Sequence, residues 1–589
     1  MWHQIVTNPH LHFLVMNTLP AEIIHNIFSF LPKDSLFSCL CVNKFWHDCS
    51  QSFLYEELEL ESPGDTCAIF TRLTNTYEVN GGLGKWVKSL RIVLDEYDLG
   101  ISPVSELLSL CSNVERIYIH HLIYDDENYN RHISPDYATL LPLCSKLRTL
   151  QGLGEAVELI AKCGARQITT LELWTVLPLT AIEGLGGNFP NLVNLRLSLD
   201  IIKVAILEDL AINCPNLDTL HLTAGGQEPI TNSHSRKITI SFITTLNFDI
   251  EDIDRSWVAH LAHRYPKLKR IMTSSRGNNE TIDFCEIAQS CSSLSDFTCK
   301  AYNEGYAPKA SFFEMLSQSA AANNGLKALC LKGNRSLRPA RGSGLRPTIS
   351  FGDQDLHKAA TCFGGTLCFL TLQCCDNITS AGFDAALDNC HNLTNLSLST
   401  RTGTEMELQF LRLMCQCPRL ETLKLENIEI ACAPSSPPID MQTHLKSVTF
   451  EKMKTWVVVF DHIFNYCPNV SYIHLRHLCL LDQKDTRIEL PHHHIRLLTV
   501  YSFDIGSSEK ECEYLVELTY KFRSDMTPRT HQFHCFCRCD RKRIRRCCYC
   551  GFSQKSIEDK DIVSKLTNLR IYIGQLDDHV VGPSHEDEH

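Results

Sequence analysis

At 589 residues the chain has the length of roughly three to five ordinary domains, or of one long repeat body. Hydrophobic residues at 44% and charged residues at 21% exclude a largely disordered chain, and no run approaches the ~18 unbroken apolar residues of a spanning helix. A net charge of −12 excludes a surface given over to gripping nucleic acid, though a local basic patch remains compatible with it.

The 29 cysteines bear on the compartment. The opening Met1-Trp2-His3-Gln4-Ile5-Val6-Thr7-Asn8 has no basic n-region, and the apolar patch from Leu11 to Met16 is too short for a signal-peptide core. The thiols are therefore expected to be reduced, small and buried, in a chain that works in the cytoplasm, the nucleus or both. Residues 1–16 and 575–589 are expected to be flexible termini.

Residues 17–60 form the first expected module, an all-α one. Asn17 or Thr18 can cap a helix, Pro20 suits its first turn and Glu22 complements its positive end. Ile23, Ile27 and Leu31 are spaced i, i+4 and i+8, Ile24 and Phe28 widen the stripe, and Pro32 stops it. A second short helix is expected from Asp34 or Ser35 through Val42, leading into Asn43-Lys44-Phe45-Trp46, with Leu58-Glu59-Leu60 beyond. So small a module cannot hide this much apolar surface, so it packs on the neighbouring stretch of chain, binds a partner, or both.

From residue 80 to 574 one pattern recurs: an anchor, an apolar residue three positions on, then Leu-x-Leu. Cys214-Pro215-Asn216-Leu217-Asp218-Thr219-Leu220-His221-Leu222 is one copy, and Cys390-His391-Asn392-Leu393 and Cys417-Pro418-Arg419-Leu420 open two more. Anchors fall at 84, 111, 144, 165, 189, 214, 240, 265, 291, 323, 364, 390, 417, 442, 467, 492, 512 and 563, and eleven of the seventeen steps are 24 to 27 residues. Leu-x-Leu puts two side chains on one face of a strand. Helical spacing between strands, as at Ala381, Phe383, Ala386 and Leu387, supplies a second face. One unit cannot bury these faces alone; stacked units can, which predicts a solenoid with a parallel sheet. Cysteine holds eight anchors, as a small apolar side chain repeated down an internal column. Insertions are expected near 333–350, where Arg335, Arg338, Arg341 and Arg346 lie among Gly and Pro, and near 525–550. The first is read as a solvated loop, with an acidic or phosphorylated partner as the less favoured use.

Two resemblances attach to these residues. The copy Leu370-Thr371-Leu372-Gln373-Cys374-Cys375-Asp376-Asn377-Ile378-Thr379-Ser380-Ala381-Gly382-Phe383, then Leu387 and Cys390, resembles the cysteine-containing leucine-rich repeat, with Ser380 and Phe383 departing from its pattern. The run Leu19-Pro20-x-Glu22-Ile23, Ile27-Phe28-Ser29-Phe30-Leu31, Leu36, Cys39, Val42-Asn43-Lys44 and Trp46 resembles an F-box. An F-box ahead of such repeats is similar to the F-box and leucine-rich-repeat proteins. That resemblance implies an α/β leucine-rich-repeat horseshoe behind a small all-α F-box domain. It implies a substrate-receptor subunit of an SCF-type cullin–RING ubiquitin ligase, bound to the adaptor Skp1 and through it to cullin, with the repeats holding a protein substrate. The adaptor-facing residues it implies are Leu19, Pro20, Glu22, Ile23, Ile27, Phe28, Leu31, Leu36 and Val42, with Trp46 fixing the helices. Several of these equally suit the module's own core. The alternative reading is a repeat scaffold whose F-box serves a non-ligase complex.

His531 to Cys550 holds six Cys and two His. Cys537, Cys539, Cys547 and Cys550 have the donors to hold Zn²⁺, but Cys-x-Cys and Cys-Cys replace paired Cys-x-x-Cys, and free or buried thiols are the preferred reading. Arg541-Lys542-Arg543-Ile544-Arg545-Arg546 is read as a solvated basic loop ahead of a nuclear import signal. Gly81-Gly82-Leu83-Gly84-Lys85-Trp86 lacks the first Gly and the Ser/Thr of a phosphate loop, and His492-His493-His494 sits at a repeat anchor. No catalytic motif, cofactor, nucleic-acid or membrane partner is expected, and the substrate cannot be read.

Overall fold

A computed structural model describes residues 19–60, 63–77, 82–94, 107–121, 145–152, 166–177, 185–230, 241–250, 253–275, 283–301, 307–319, 325–333, 349–401, 406–431, 443–455, 457–476, 478–480, 485–490, 497–500, 503–505, 513–522, 529–536 and 566–575. The chain divides into two compact units, Met1–Glu251 and Asp252–His589.

The first unit opens with three helices, α1 (Ala21–Phe28), α2 (Lys33–Cys39) and α3 (Lys44–Leu54). Behind them runs a parallel ladder of eight strands: β1 (Glu57–Leu60), β2 (Ser89–Leu94), β3 (Arg116–His121), β4 (Thr149–Gly152), β5 (Thr170–Leu177), β6 (Asn194–Ile202), β7 (Thr219–Gln227) and β8 (Thr245–Ile250), each paired with the next. The ladder starts earlier than the repeat spacing indicates. Leu58 and Leu60 alternate inward, so residues 57–60, expected inside the helical module, already belong to the sheet.

The second unit carries its own parallel ladder: β9 (Arg270–Ser275), β10 (Asp296–Ala301), β11 (Ala328–Gly333), β12 (Phe369–Gln373), β13 (Asn395–Ser399), β14 (Thr422–Glu426), β15 (Ser447–Glu451), β16 (Tyr472–Arg476) and β17 (Leu497–Val500). The helix Arg255–Arg264 precedes its first strand, and helices such as Ala310–Ser319, Asp353–Phe363 and Ser380–Leu387 lie between its strands in sequence. The architecture is an α/β leucine-rich-repeat solenoid behind N-terminal helices. Every anchor from 84 to 492 is followed five residues later by the first residue of a strand, from Ser89 to Leu497.

The anchor column is buried as its chemistry requires. Cys111, Cys214, Cys291, Cys390, Cys417 and Cys467 are all at most 2% exposed, as are Phe189 and Tyr265. The thiols also act as donors. Cys214 Sγ donates to the Phe189 carbonyl (3.6 Å), Cys291 Sγ to that of Tyr265 (3.5 Å) and Cys417 Sγ to that of Cys390 (3.5 Å), in each case the anchor one repeat earlier. Two residues past an anchor, an asparagine amide makes a second bridge. Asn113 donates to the Lys85 carbonyl, Asn191 to Arg166, Asn392 to Gly365 and Asn469 to Thr443. These bonds satisfy backbone carbonyls that the turn leaves outside both helix and ladder.

In the clearest repeat Thr379 Oγ1 caps the helix by accepting from Gly382 N (3.0 Å), while Asp353 of the preceding repeat accepts from Thr379 N and Oγ1. Phe383, Ala386 and Leu387 turn inward as the spacing predicts, but Ala381 is exposed, because the cap places the helix's first turn at the surface.

Beyond Ile505 the pattern changes. The spacing predicts further repeats at anchors 512 and 563, but Glu513–Phe522 pairs antiparallel with Arg529–Phe536 and with Leu566–Gln575, which in turn pairs antiparallel with Asp485–Leu490. Period-two alternation is common to both strand senses, so the pattern alone could not separate them. The arginine insertion from 334 to 348, His492–His494 and residues 537–550, including Cys537, Cys539, Cys547 and Cys550, lie outside the described residues. No described helix is long and apolar enough to cross a membrane.

Burial pushes the anchor thiols of Cys214, Cys291, Cys390 and Cys417 up to about 12 and that of Cys467 to about 11. They therefore stay protonated and inert. Iodoacetamide at pH 8 on the native chain is expected to label Cys41, Cys67 and Cys415, which are exposed, and to spare these five until denaturant is added. The thiols also set a sign for alkaline stability. They ionise at an ordinary thiol pKa only in the unfolded chain, so their contribution is complete below about pH 9 and is lost as pH rises towards 12.

Candidate functional site

The N-terminal module is built from proline punctuation and one asparagine cap. Pro20 precedes α1, and its carbonyl accepts from Ile23 N (3.1 Å) and Ile24 N (3.2 Å). Pro32 opens α2 in the same way, one to two residues earlier than the Asp34 or Ser35 start that the sequence suggests. Between them Phe30 N and Leu31 N bond back to the Ile27 and Phe28 carbonyls in a tightened last turn. Asn43 Oδ1 accepts from Trp46 N (2.8 Å) and starts α3, a helix that the sequence pattern alone did not mark out.

These helices close over Ile24, Phe28, Leu36, Cys39, Cys49 and Leu54, with Leu19, Ile27, Leu31, Leu40, Trp46, Phe53 and Tyr55 packed partly buried around them. Phe28 is the hub. Its ring meets Trp46 edge-on at 5.3 Å and Phe53 at 6.3 Å, arrangements worth about 0.5–1.5 kcal/mol beyond area burial.

The expected adaptor-facing residues therefore divide. Phe28 and Leu36 lie inside the module's core. Leu19, Ile27, Leu31 and Trp46 line its edge with one side still open, and Val42 is half-buried. Pro20, Glu22 and Ile23 stand in solvent. On α1 the core stripe is Ile24 and Phe28, and Ile23 and Ile27 form a second apolar row beside it. Three further aromatics are exposed: Phe30 at 87%, Phe37 at 55% and Phe45 at 37%. These three are absent from the adaptor-facing residues that the resemblance implies. Their signal was their placement out of step with Ile24, Phe28, Leu36 and Cys39.

Exposed Pro20, Ile23, Phe30, Phe37 and Phe45 on a module this small amount to apolar surface that its own fold leaves uncovered. Chemically the module offers a hydrophobic docking face with two exposed carboxylates, Glu22 on α1 and Asp34 on α2, beside it. Cys39 and Cys49 have their thiols pushed up by burial and behave as core residues. No group of three or more potential metal ligands occurs among the described residues.

The module is joined to the sheet with little slack. α3 ends at Leu54 and β1 begins at Glu57. The Glu56 carbonyl accepts from Lys88 N and Ser89 N (both 2.9 Å), and the Glu56 and Glu59 carboxylates pair with Lys88 (3.2 Å) and Arg91 (3.0 Å).

Residues 16–61 match the family model described as F-box-like. Comparison with curated protein sequences finds no match. Among solved structures, the chain is similar to one in the crystal structure of the Rad7 and Elc1 complex in yeast, with 12% identity, TM-score 0.33, 71% of this chain and 88% of that chain covered. It is also similar to one in the plant peptide hormone receptor RGFR1 in complex with RGF2, with 14% identity, TM-score 0.28, and 67% and 68% covered.

Phe28→Ala is expected to destabilise the module by about 3–5 kcal/mol, because it empties the core. Ile23→Ala is expected to change its stability by no more than about 0.5 kcal/mol. Proteolytic protection of residues 19–54 across a urea series reads both.

Proposed function

We propose that the chain is the substrate-receptor subunit of an SCF-type cullin–RING ubiquitin ligase. Its F-box-like module binds Skp1, and through it cullin. The open face of the repeat strands holds a protein substrate, and partner subunits transfer ubiquitin. The chain itself performs no chemistry in this reading.

The observation that carries the proposal is the division within the F-box-like module. Phe28 and Leu36 hold the helices together, while Pro20, Ile23, Phe30 and Phe37 are free to bury against another polypeptide. Fully burying a large apolar side chain contributes about 1.5–3 kcal/mol, so a few such residues are enough for a stable contact. The short join from α3 to β1 supports the second half of the reading. A receptor that presents cargo needs its docking module and recognition strands held in fixed relation, and a tether of two residues, whose Glu56 is bonded to Lys88 and Ser89, limits relative motion.

Ile23→Asp combined with Phe37→Asp is expected to reduce Skp1 capture by the purified chain at least tenfold, with the melting profile unchanged. Both side chains are exposed, so the substitution places charge in the contact without emptying the core. Undiminished capture by this variant, or capture of Skp1 by the wild type with no cullin recruited, would overturn the proposal.

A further inference from the structure

On the open face of the second unit, β10 and β11 pair in a register that sets Lys300 directly opposite Lys332, with Gln373 of β12 next in the row. Parallel strands lie about 4.8 Å apart, so the two stems leave the sheet side by side. Like charges placed directly opposite on neighbouring strands are destabilising. Both residues are half-buried, and neither makes an ion pair among the described residues.

The neighbouring row is made of small donors. Thr298, Cys330, Thr371 and Ser397 are successive partners across β10 to β13. In this row Cys330 lies between Thr298 and Thr371, with Lys332 two residues on along its own strand and Lys300 two residues past Thr298. Two ammonium groups and two hydroxyls thus surround one point of the sheet. Among the residues of β10 to β13 the sole carboxylate is Asp296, at the other end of its strand, taken up by Ser295. Farther along, charges are balanced: Asp376 pairs with Arg401 (3.4 Å), and Glu451 with Lys452 (3.9 Å) and Arg476 (3.6 Å). In a chain of net charge −12, this window is a local cationic exception.

We propose that the open face of β10 to β12 binds a phosphorylated serine or threonine of a protein ligand, with Lys300 and Lys332 clamping the phosphate and Thr298 and Thr371 hydrogen-bonding it. A phosphoryl group carries between one and two negative charges near neutral pH and three acceptor oxygens. Two adjacent cations match that charge better than they match a single carboxylate, and the flanking hydroxyls supply donors for the remaining oxygens. An anion held between the two lysines relieves their repulsion. The inference rests on the reading that the repeat strands hold a protein substrate, and it names that substrate's chemistry.

The test uses the full-length chain and three immobilised peptide libraries of the same degenerate sequence, centred on phosphoserine, serine or aspartate. Retention is expected on the phosphoserine library alone, with competition by free O-phosphoserine. Lys300→Gln with Lys332→Gln is expected to weaken retention at least tenfold and to leave the melting temperature equal or higher, since a repulsion is removed. Lys269→Gln with Lys327→Gln, outside the window, is expected to change nothing. Failure of the wild type to prefer the phosphoserine library would overturn the inference, as would equal retention by the Lys300/Lys332 variant. Skp1 capture measured on the same preparation separates the two proposals: capture without phosphopeptide retention removes this inference alone, and retention without capture removes the ligase reading.

Discussion

Every repeat of this chain depends on a face it cannot bury by itself. Each Leu-x-Leu pair, such as Leu220 and Leu222 or Leu396 and Leu398, reaches essentially zero exposure only because a neighbouring strand lies on either side. At about 1.5–3 kcal/mol for each large side chain buried, that pair is the main favourable contribution of a repeat, and it is lost if the stack opens. The anchor refines this stacking. A cysteine is small enough for the turn and can donate a weak hydrogen bond to the carbonyl of the anchor before it, which valine or alanine cannot do. The asparagine two residues later adds a stronger bond of the same direction. Where these residues occur, the repeat is tied to its predecessor through backbone carbonyls, which leaves the open face free to vary.

The F-box-like module obeys a different rule. It is too small to bury its apolar residues, and its fold settles which are kept. Ile24 and Phe28 go inside, and Ile23, one position away, stays out. One helix can therefore hold the module together and offer a surface to another chain. Because α3 runs almost directly into β1, a partner docked on the module is coupled to the first strand of the sheet.

Much of this was legible in the sequence, and the unread parts have physical reasons. The anchors from 84 to 492 announced their strands because core packing repeats with the same spacing as the backbone. The asparagine bridges were not visible as bonds: Asn113, Asn191, Asn392 and Asn469 look like ordinary polar turn residues until the preceding repeat is in place. The antiparallel strands near residues 513 and 566 carry the same alternation as the repeats, and strand sense depends on long-range pairing. In the module, the F-box pattern located the helices, but a continuous run such as Ile27-Phe28-Ser29-Phe30-Leu31 does not say which side chains face inward. Only the helix end at Phe28 and the tightened turn after it send Phe30 outward. The Lys300–Lys332 pair was equally hidden, since the two residues are brought together by register across an interval of 32 positions.

Amide hydrogen exchange of the full chain, alone and with Skp1 in excess, tests the central claim most directly. The account predicts slowed exchange confined to residues 19–42, with the strands from Ser89 to Val500 unchanged. Unchanged exchange throughout residues 19–42 in the presence of bound Skp1, or protection appearing on the repeat strands instead, would contradict it.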